Sequence, residues 1–322
     1  MRAGREGYDR GIGRVEGIET VAVLGGGTMG AGIAGHLARA GLAVRLADAS
    51  AELTGQALAR LRRRTEGHVE AGLLGPEALS AEVEAATGVE AAAKGADLVI
   101  EAVPEKPDLK AEILRRASES GDGVIATNTS SLPIAGLSES VTEPGRFLGV
   151  HWFNPPEWTP GVEVIAGPHT ERAVVERSLA FLRAVGKQPA EVADRAAFVS
   201  NRLQMALLRE ALAIVAEGQT TRADLDTIVR STFGFRLPFF GPFLIGDMAG
   251  LDTYVGVYET LERDVGPEFA PPRELRELVD AGRLGTKSGA GFEEYSEEER
   301  ERLLLERDRR YAALAKLLDE LG

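Results

Sequence analysis

Apolar positions change their spacing about two thirds of the way along the chain. Up to about residue 195, short runs rich in Val, Ile and Leu recur at Thr20–Leu24, Ala43–Ala47, 98–103, Val124–Thr127, Phe147–Trp152 and 162–166, each bounded by Gly, Asp or Asn. Stretches with apolar residues at helical spacing separate them, over residues 29–39, 52–71 and 109–119. A further helix over 171–185 leads into a last strand-like run at 190–193. Alternation of this kind predicts βαβ units, and so a parallel sheet with helices on both faces. After Ala197 the strands stop, and Leu203, Leu207, Leu208, Leu212 and Val215 recur at a helical period. The pattern predicts an α/β chain: a doubly wound sheet domain over residues 18–198, then an all-α domain over residues 199–322. Residues 1–17, polar and rich in Gly and Arg, read as a flexible leader.

Composition narrows the function classes. The net charge is −13, which argues against the basic surface that a nucleic acid requires. No stretch approaches the roughly 20 apolar residues that span a bilayer. The chain has no cysteine, which removes disulfides, thiolate nucleophiles and thiolate-ligated metals. The expected partner is therefore a small molecule, with no nucleic acid, membrane or metal, and the expected compartment is the cytoplasm.

The first strand ends in Gly25-Gly26-Gly27-Thr28-Met29-Gly30, and a helix opens within it. Gly25, Gly27 and Gly30 fit the G-x-G-x-x-G spacing: a tight turn, backbone approach to a pyrophosphate, and close packing. The N–H groups around Thr28 and Met29 would face the phosphates at the helix's positive end. Asp48, closing the second strand, suits a ribose diol and repels a 2′-phosphate, which selects NAD over NADP. These features make the sheet domain Rossmann-type, with NAD as its cofactor.

Four segments then stand in order: Asn128-Thr129-Ser130-Ser131-Leu132, His151-Trp152-Phe153-Asn154-Pro155, Val162-Glu163-Val164 and Phe198-Val199-Ser200-Asn201-Arg202. Imidazole titrates near ~6.5, which suits proton transfer in either direction of an alcohol oxidation. Together with the glycine loop these segments resemble the 3-hydroxyacyl-CoA dehydrogenase family, from about residue 18 to residue 295. The resemblance implies that His151 is the acid/base, that Glu163 orients it, and that Ser130 and Asn201 hydrogen-bond the reacting oxygen, with Asn154 shaping the pocket. Asn201 equally suits the N-cap of the long helix. Glu105 and Lys110 match positions that touch NAD, and equally an ordinary solvated pair. The family also implies a homodimer made by the helical domain, and an active cleft between the domains reached by Asn201.

Departures from the family cluster on the substrate side. Pro156-Glu157-Trp158-Thr159-Pro160-Gly161 replaces the usual Met-Leu run, and Asp194-Arg195-Ala196-Ala197-Phe198 replaces D-x-P-G-F. The stretch 201–211 is closer to gulonate- and carnitine-type dehydrogenases, whereas 247–252 and 284–292 follow the acyl-CoA branch. Arg60, Arg62, Arg63 and Arg64 lie where the family contacts CoA phosphate, and are alternatively a solvated helix face. The leading expectation is reversible oxidation of an L-3-hydroxyacyl-CoA. The alternatives are a CoA-free hydroxy acid, held by Arg209 or Arg236, and a non-catalytic crystallin-like protein.

Overall fold

The computed structural model describes residues 17–321, so the expected leader lies, but for Gly17, outside the described residues. Eight strands form one sheet in the order β3-β2-β1-β4-β5-β6-β7-β8. The chain enters at β1 (Thr20–Leu24), turns through α1 (Thr28–Arg39) to β2 (Ala43–Ala47), and crosses by α2 (Ala51–Glu70) to the edge strand β3 (Val83–Ala85). It returns through α3 (Val89–Ala93) to β4 (Leu98–Glu101), then runs by α4 (Pro107–Ser120) to β5 (Val124–Thr127) and by α5 (Ile134–Ser138) to β6 (Phe147–Trp152). These strands are parallel, and the order reverses at β1/β4, the crevice where doubly wound sheets bind dinucleotides.

The remaining strands complete a mostly parallel sheet. β7 (Gly161–Ala166) pairs antiparallel with β6, and after α6 (Arg172–Ala184) the strand β8 (Gln188–Val192) pairs parallel with β7. The short connection between β6 and β7 explains the reversal, because a parallel return needs a crossover of a dozen residues or more.

Alternate residues of each strand feed two cores. Val21, Val23, Leu46, Ile100 and Leu148 pack with Ile33 and Leu37 of α1 and Phe181 and Leu182 of α6. Ala22, Leu24, Val99 and Ile125 pack on the other face with α3, with Leu114 of α4 and with Ile134 of α5. Period-two burial on both sides is what a sheet covered by helices requires.

The chain divides into two compact units, one up to Leu207 and one from Leu208. α7 (Ser200–Ala216) spans this division. The second unit continues with α8 (Arg222–Ser231), α9 (Phe233–Arg236), α10 (Pro242–Ala249), α11 (Leu251–Asp264), α12 (Arg273–Asp280) and α13 (Glu297–Leu321). Its core is small: Leu251, Val255 and Leu275, with Tyr254, Tyr258 and Phe292 packed against them. Asp247, 1% exposed, organises the loop after α12 by accepting from Phe292 N, Glu293 N and Tyr295 Oη.

Candidate active site

The glycine loop has the geometry its spacing predicts. Gly25 sits at φ +106°, and a Cβ there would lie 2.7 Å from the Ala102 carbonyl oxygen. A Cβ on Gly30 would fall 1.8 Å from the Gly25 carbonyl oxygen, so the first turn of α1 closes directly onto the loop. Gly27 faces open space, and the first turn of α1 carries no acidic residue. The N–H groups around Thr28 and Met29 thus form a cradle of positive dipole suited to a pyrophosphate. Asp48 accepts from Gly26 N at 2.8 Å and from Ala49 N at 2.6 Å, which fixes its carboxylate beside the loop. Gly26 does not stand out in the motif spacing, yet a Cβ there would meet Ala57 Cβ at 2.5 Å and Asp48 Oδ2 at 2.9 Å.

Lys110 is only 1% exposed and bonds both carboxylate oxygens of the fully buried Glu101, at 2.8 and 3.0 Å, and the Val103 carbonyl. Thr127 Oγ1 donates to the same carboxylate at 2.6 Å. Lys110 also pairs with Glu105 Oε2 at 3.3 Å. Glu105 accepts from Thr129 Oγ1, Ser130 N and Ser131 N at 2.5, 2.9 and 3.1 Å, so the ends of β4 and β5 are tied together. Burial would raise the Glu105 carboxyl, but the Thr129 hydroxyl, the Lys110 ammonium and the serine donors together hold it below the usual carboxylate range. Glu101 belongs to this network without standing out in the sequence, because a buried polar partner leaves no periodic signal, whereas Thr129 lies within the motif over residues 128–132.

The antiparallel register places His151 directly opposite Glu163. His151 Nδ1 lies 2.8 Å from Glu163 Oε2, and both side chains are buried. Phe153 and Phe198 flank the imidazole, with ring centroids at 4.4 and 5.7 Å. Glu163 also serves the helix that follows, since its Oε1 accepts from Val199 N at 3.0 Å and Ser200 N at 2.8 Å and caps the first turn of α7. The cap is therefore this carboxylate and not Asn201. Asn201 Nδ2 instead donates to the Ser130 carbonyl at 2.9 Å. His151, Glu163, Asn201 and Ser130 are thus joined in one chain of contacts through the start of α7. Asn154 is exposed, whereas Asn128 is built in, its Oδ1 accepting from Trp152 N at 2.8 Å.

The arginines of α2 are largely engaged within the chain. Arg60 donates to the Gly26 carbonyl at 3.1 Å, Arg62 pairs with Glu66, and Arg64 pairs with the buried Glu157 at 3.1 Å. Arg236 lies in α9 and Arg209 in α7. Among the described residues no group of His, Asp and Glu is arranged to hold a metal, and no helix is long and apolar enough to cross a membrane.

Comparisons with known proteins agree along the length of the chain. A family model described as 3-hydroxyacyl-CoA dehydrogenase, NAD binding domain, matches residues 20–195. One described as 3-hydroxyacyl-CoA dehydrogenase, C-terminal domain, matches residues 198–295. The chain is similar to the 5-formyl-3-hydroxy-2-methylpyridine 4-carboxylate 5-dehydrogenase of Mesorhizobium japonicum, 36% identical over 94% of this chain and 99% of the relative. It is similar to the 3-hydroxybutyryl-CoA dehydrogenase of Mycobacterium tuberculosis, 36% identical over 86% of this chain and 99% of the relative. A solved 3-hydroxyacyl-CoA dehydrogenase from Archaeoglobus fulgidus matches with a TM-score of 0.79 at 32% identity, over 94% of this chain and 99% of that one.

Proposed function

We propose a reaction from one premise: this chain belongs to the 3-hydroxyacyl-CoA dehydrogenase family and is an NAD-dependent oxidoreductase. The reaction is reversible oxidation of the 3-hydroxyl of an L-3-hydroxyacyl-CoA to the ketone. The observation that carries it is the buried His151–Glu163 pair at 2.8 Å. Bound NAD+ supplies the acceptor for the hydride that leaves C3. With Nδ1 engaged by Glu163, Nε2 is the ring nitrogen available to take the hydroxyl proton, and to return it in the reverse direction. Glu163 keeps the ring in that tautomer and stabilises the imidazolium. Ser130 and Asn201 are small neutral donors for the reacting oxygen, and Asn154 borders the same pocket. Gly25, Gly27, Thr28, Met29 and Gly30 would hold the pyrophosphate and Asp48 the ribose diol, and Glu105 and Lys110 would contribute to the cofactor site. Residues 18–198 serve as the cofactor domain and 199–322 as the helical domain, a division supported by the two family models meeting between 195 and 198.

A CoA-free substrate is a second reading, and a specific observation favours it. Arg60 and Arg64, two of the arginines suited to CoA phosphate, are bonded to Gly26 and Glu157. One relative is named for a pyridine carboxylate and not for a thioester. In that case Arg209 or Arg236 would hold a carboxylate. NADH oxidation with acetoacetyl-CoA, set against acetoacetate and a formylpyridine carboxylate, separates the readings. Replacing His151 with Gln is expected to lower kcat by roughly 10²–10⁴-fold with NADH affinity unchanged; full turnover in that variant would remove the base assignment. The same reading includes a homodimer formed through the helical domain, supported by the exposed Leu203, Leu207, Leu208 and Leu212 of α7.

A further inference from the structure

The two strands that carry His151 and Glu163 are joined by residues 153–160. A buried ionic cluster that the reaction does not use ties this loop down. Lys187, between α6 and β8, is 5% exposed and donates to the carbonyls of Pro156 at 2.5 Å and Thr159 at 3.0 Å. Its ammonium also lies 5.1 Å from the centroid of the Trp152 ring. Glu157, 4% exposed, pairs with Arg64 of α2 at 3.1 Å. Trp158 meets His68 of α2 edge-on, with centroids 5.4 Å apart. α1 makes room for the loop at Gly32, where a Cβ would lie 2.6 Å from Pro156 Cγ.

Burying an ammonium and a carboxylate costs on the order of several kcal/mol per ion before their attraction is counted, and an apolar cluster of the same volume is often at least as stable. Stability alone therefore does not account for the arrangement. What the cluster does provide is a single path for the loop. One ammonium fixes two carbonyls three residues apart, and the carboxylate between them is fixed by α2. Arg60, one helical turn before Arg64, donates to the Gly26 carbonyl. The same helix thus braces the cofactor loop with one arginine and the 153–160 loop with the next.

We propose that Lys187, Glu157 and Arg64 are positioning residues that clamp residues 153–160 against α2 and so set the affinity for the organic substrate without touching the reacting atoms. The proposal rests on the reaction assigned above. Burial pushes the Lys187 ammonium down to about 8, with Glu157 pulling it up and Arg39 of α1 adding to the fall. The other groups facing the cluster are His36 of α1, which burial and Lys187 push down to about 3, and Arg64 of α2. As pH rises above about 8 the ammonium discharges, and the clamp loses the charge at its centre.

Two readouts on R64M and K187M decide the matter, R64M being the safer fold because Arg64 is partly exposed. Hydrogen exchange of a peptide spanning 153–160 needs no substrate, and steady-state kinetics use acetoacetyl-CoA, or acetoacetate if wild type prefers it. Both variants should exchange about tenfold faster and raise the substrate KM about tenfold, with kcat within about threefold and NADH affinity unchanged. Wild-type KM should climb above about pH 8, whereas that of K187M stays high and flat. Unchanged exchange in R64M overturns the clamp, and faster exchange with unchanged KM overturns its role in substrate affinity. If wild type turns over neither probe, the assigned reaction fails, while the exchange of R64M still shows whether the clamp exists.

Discussion

In the sheet unit, Phe147, Leu148, Leu114 and Ile125 lose all contact with water. In the helical unit, Phe243 stays 66% exposed, and Leu208, Leu212, Ile228, Leu237 and Val257 are exposed with it. A sheet covered on both faces closes two cores within one unit, so its stability is intramolecular. Helices α7 to α13 carry amphipathic stripes of the usual kind, yet of their large apolar side chains only Ile245, Leu251, Val255 and Leu275 are buried. Such apolar area on one unit is the feature that supports the proposed homodimer. The first unit buries its large apolar side chains within itself, whereas the second leaves many of its own at the surface.

The sharpest way to break this contrast is to truncate apolar side chains in each unit. Phe147→Ala should cost about 3–5 kcal/mol by urea unfolding, at every protein concentration. Leu208→Ser with Leu212→Ser should change the unfolding of the monomer by no more than about 0.5 kcal/mol per site. The proposed homodimer is tested by the same pair, which should shift sedimentation equilibrium from dimer to monomer. A loss below about 1 kcal/mol for Phe147→Ala, or a wild-type chain monomeric at all concentrations, would undo the comparison.

The two regions are also unequally legible in the sequence. β1, β2, β5 and β6 fall on the runs that patterning assigns them, because each is a short apolar segment between turn residues. β3 escapes because its three residues are half-buried or exposed and show no apolar run. The direction of β7 escapes because period two says nothing of parallel or antiparallel pairing; only the length of the connection decides it. His151, Glu163 and Asp48 are visible through motif spacing. The capping role of Glu163 is not, since its partners are backbone N–H groups at Val199 and Ser200. Lys187 is invisible for a related reason: a single lysine after a glycine reads as surface until the fold buries it.

Acid sharpens the contrast from the side of the sheet unit. Burial, aided by the Lys187 charge and opposed by the hydrogen bond to the Val185 carbonyl, pushes His36 from 6.5 to about 3. The folded chain refuses a proton that the unfolded chain accepts, so this contribution is intact above pH 6.5 and is lost as pH falls toward 3. By linkage about 2 kcal/mol should already be gone at pH 5. His36→Asn should unfold with a flatter dependence between pH 7 and 5, as read by urea midpoints. An unchanged slope would mean that other groups carry the acid sensitivity of the sheet.

The smallest effect is expected just before α7, the helix that spans both units. Ala197 and Phe198 adopt φ of +62° and +53°, in a segment where the family motif D-x-P-G-F carries glycine at the position of Ala197. A left-handed conformation costs an L-residue roughly 1–2 kcal/mol. Glycine removes that cost but gives up about 0.5–1 kcal/mol through the greater freedom of the unfolded chain. Ala197→Gly should therefore stabilise the protein by about 0.5 kcal/mol and leave kcat within about twofold, since Phe198 still flanks His151. The exchange cannot be repeated at Phe198, whose ring is part of the imidazole's wall. If Ala197→Gly destabilises instead, the left-handed turn is held by its surroundings at no net cost. The Glu163 cap on α7 would then be a consequence of that turn and not the force that imposes it.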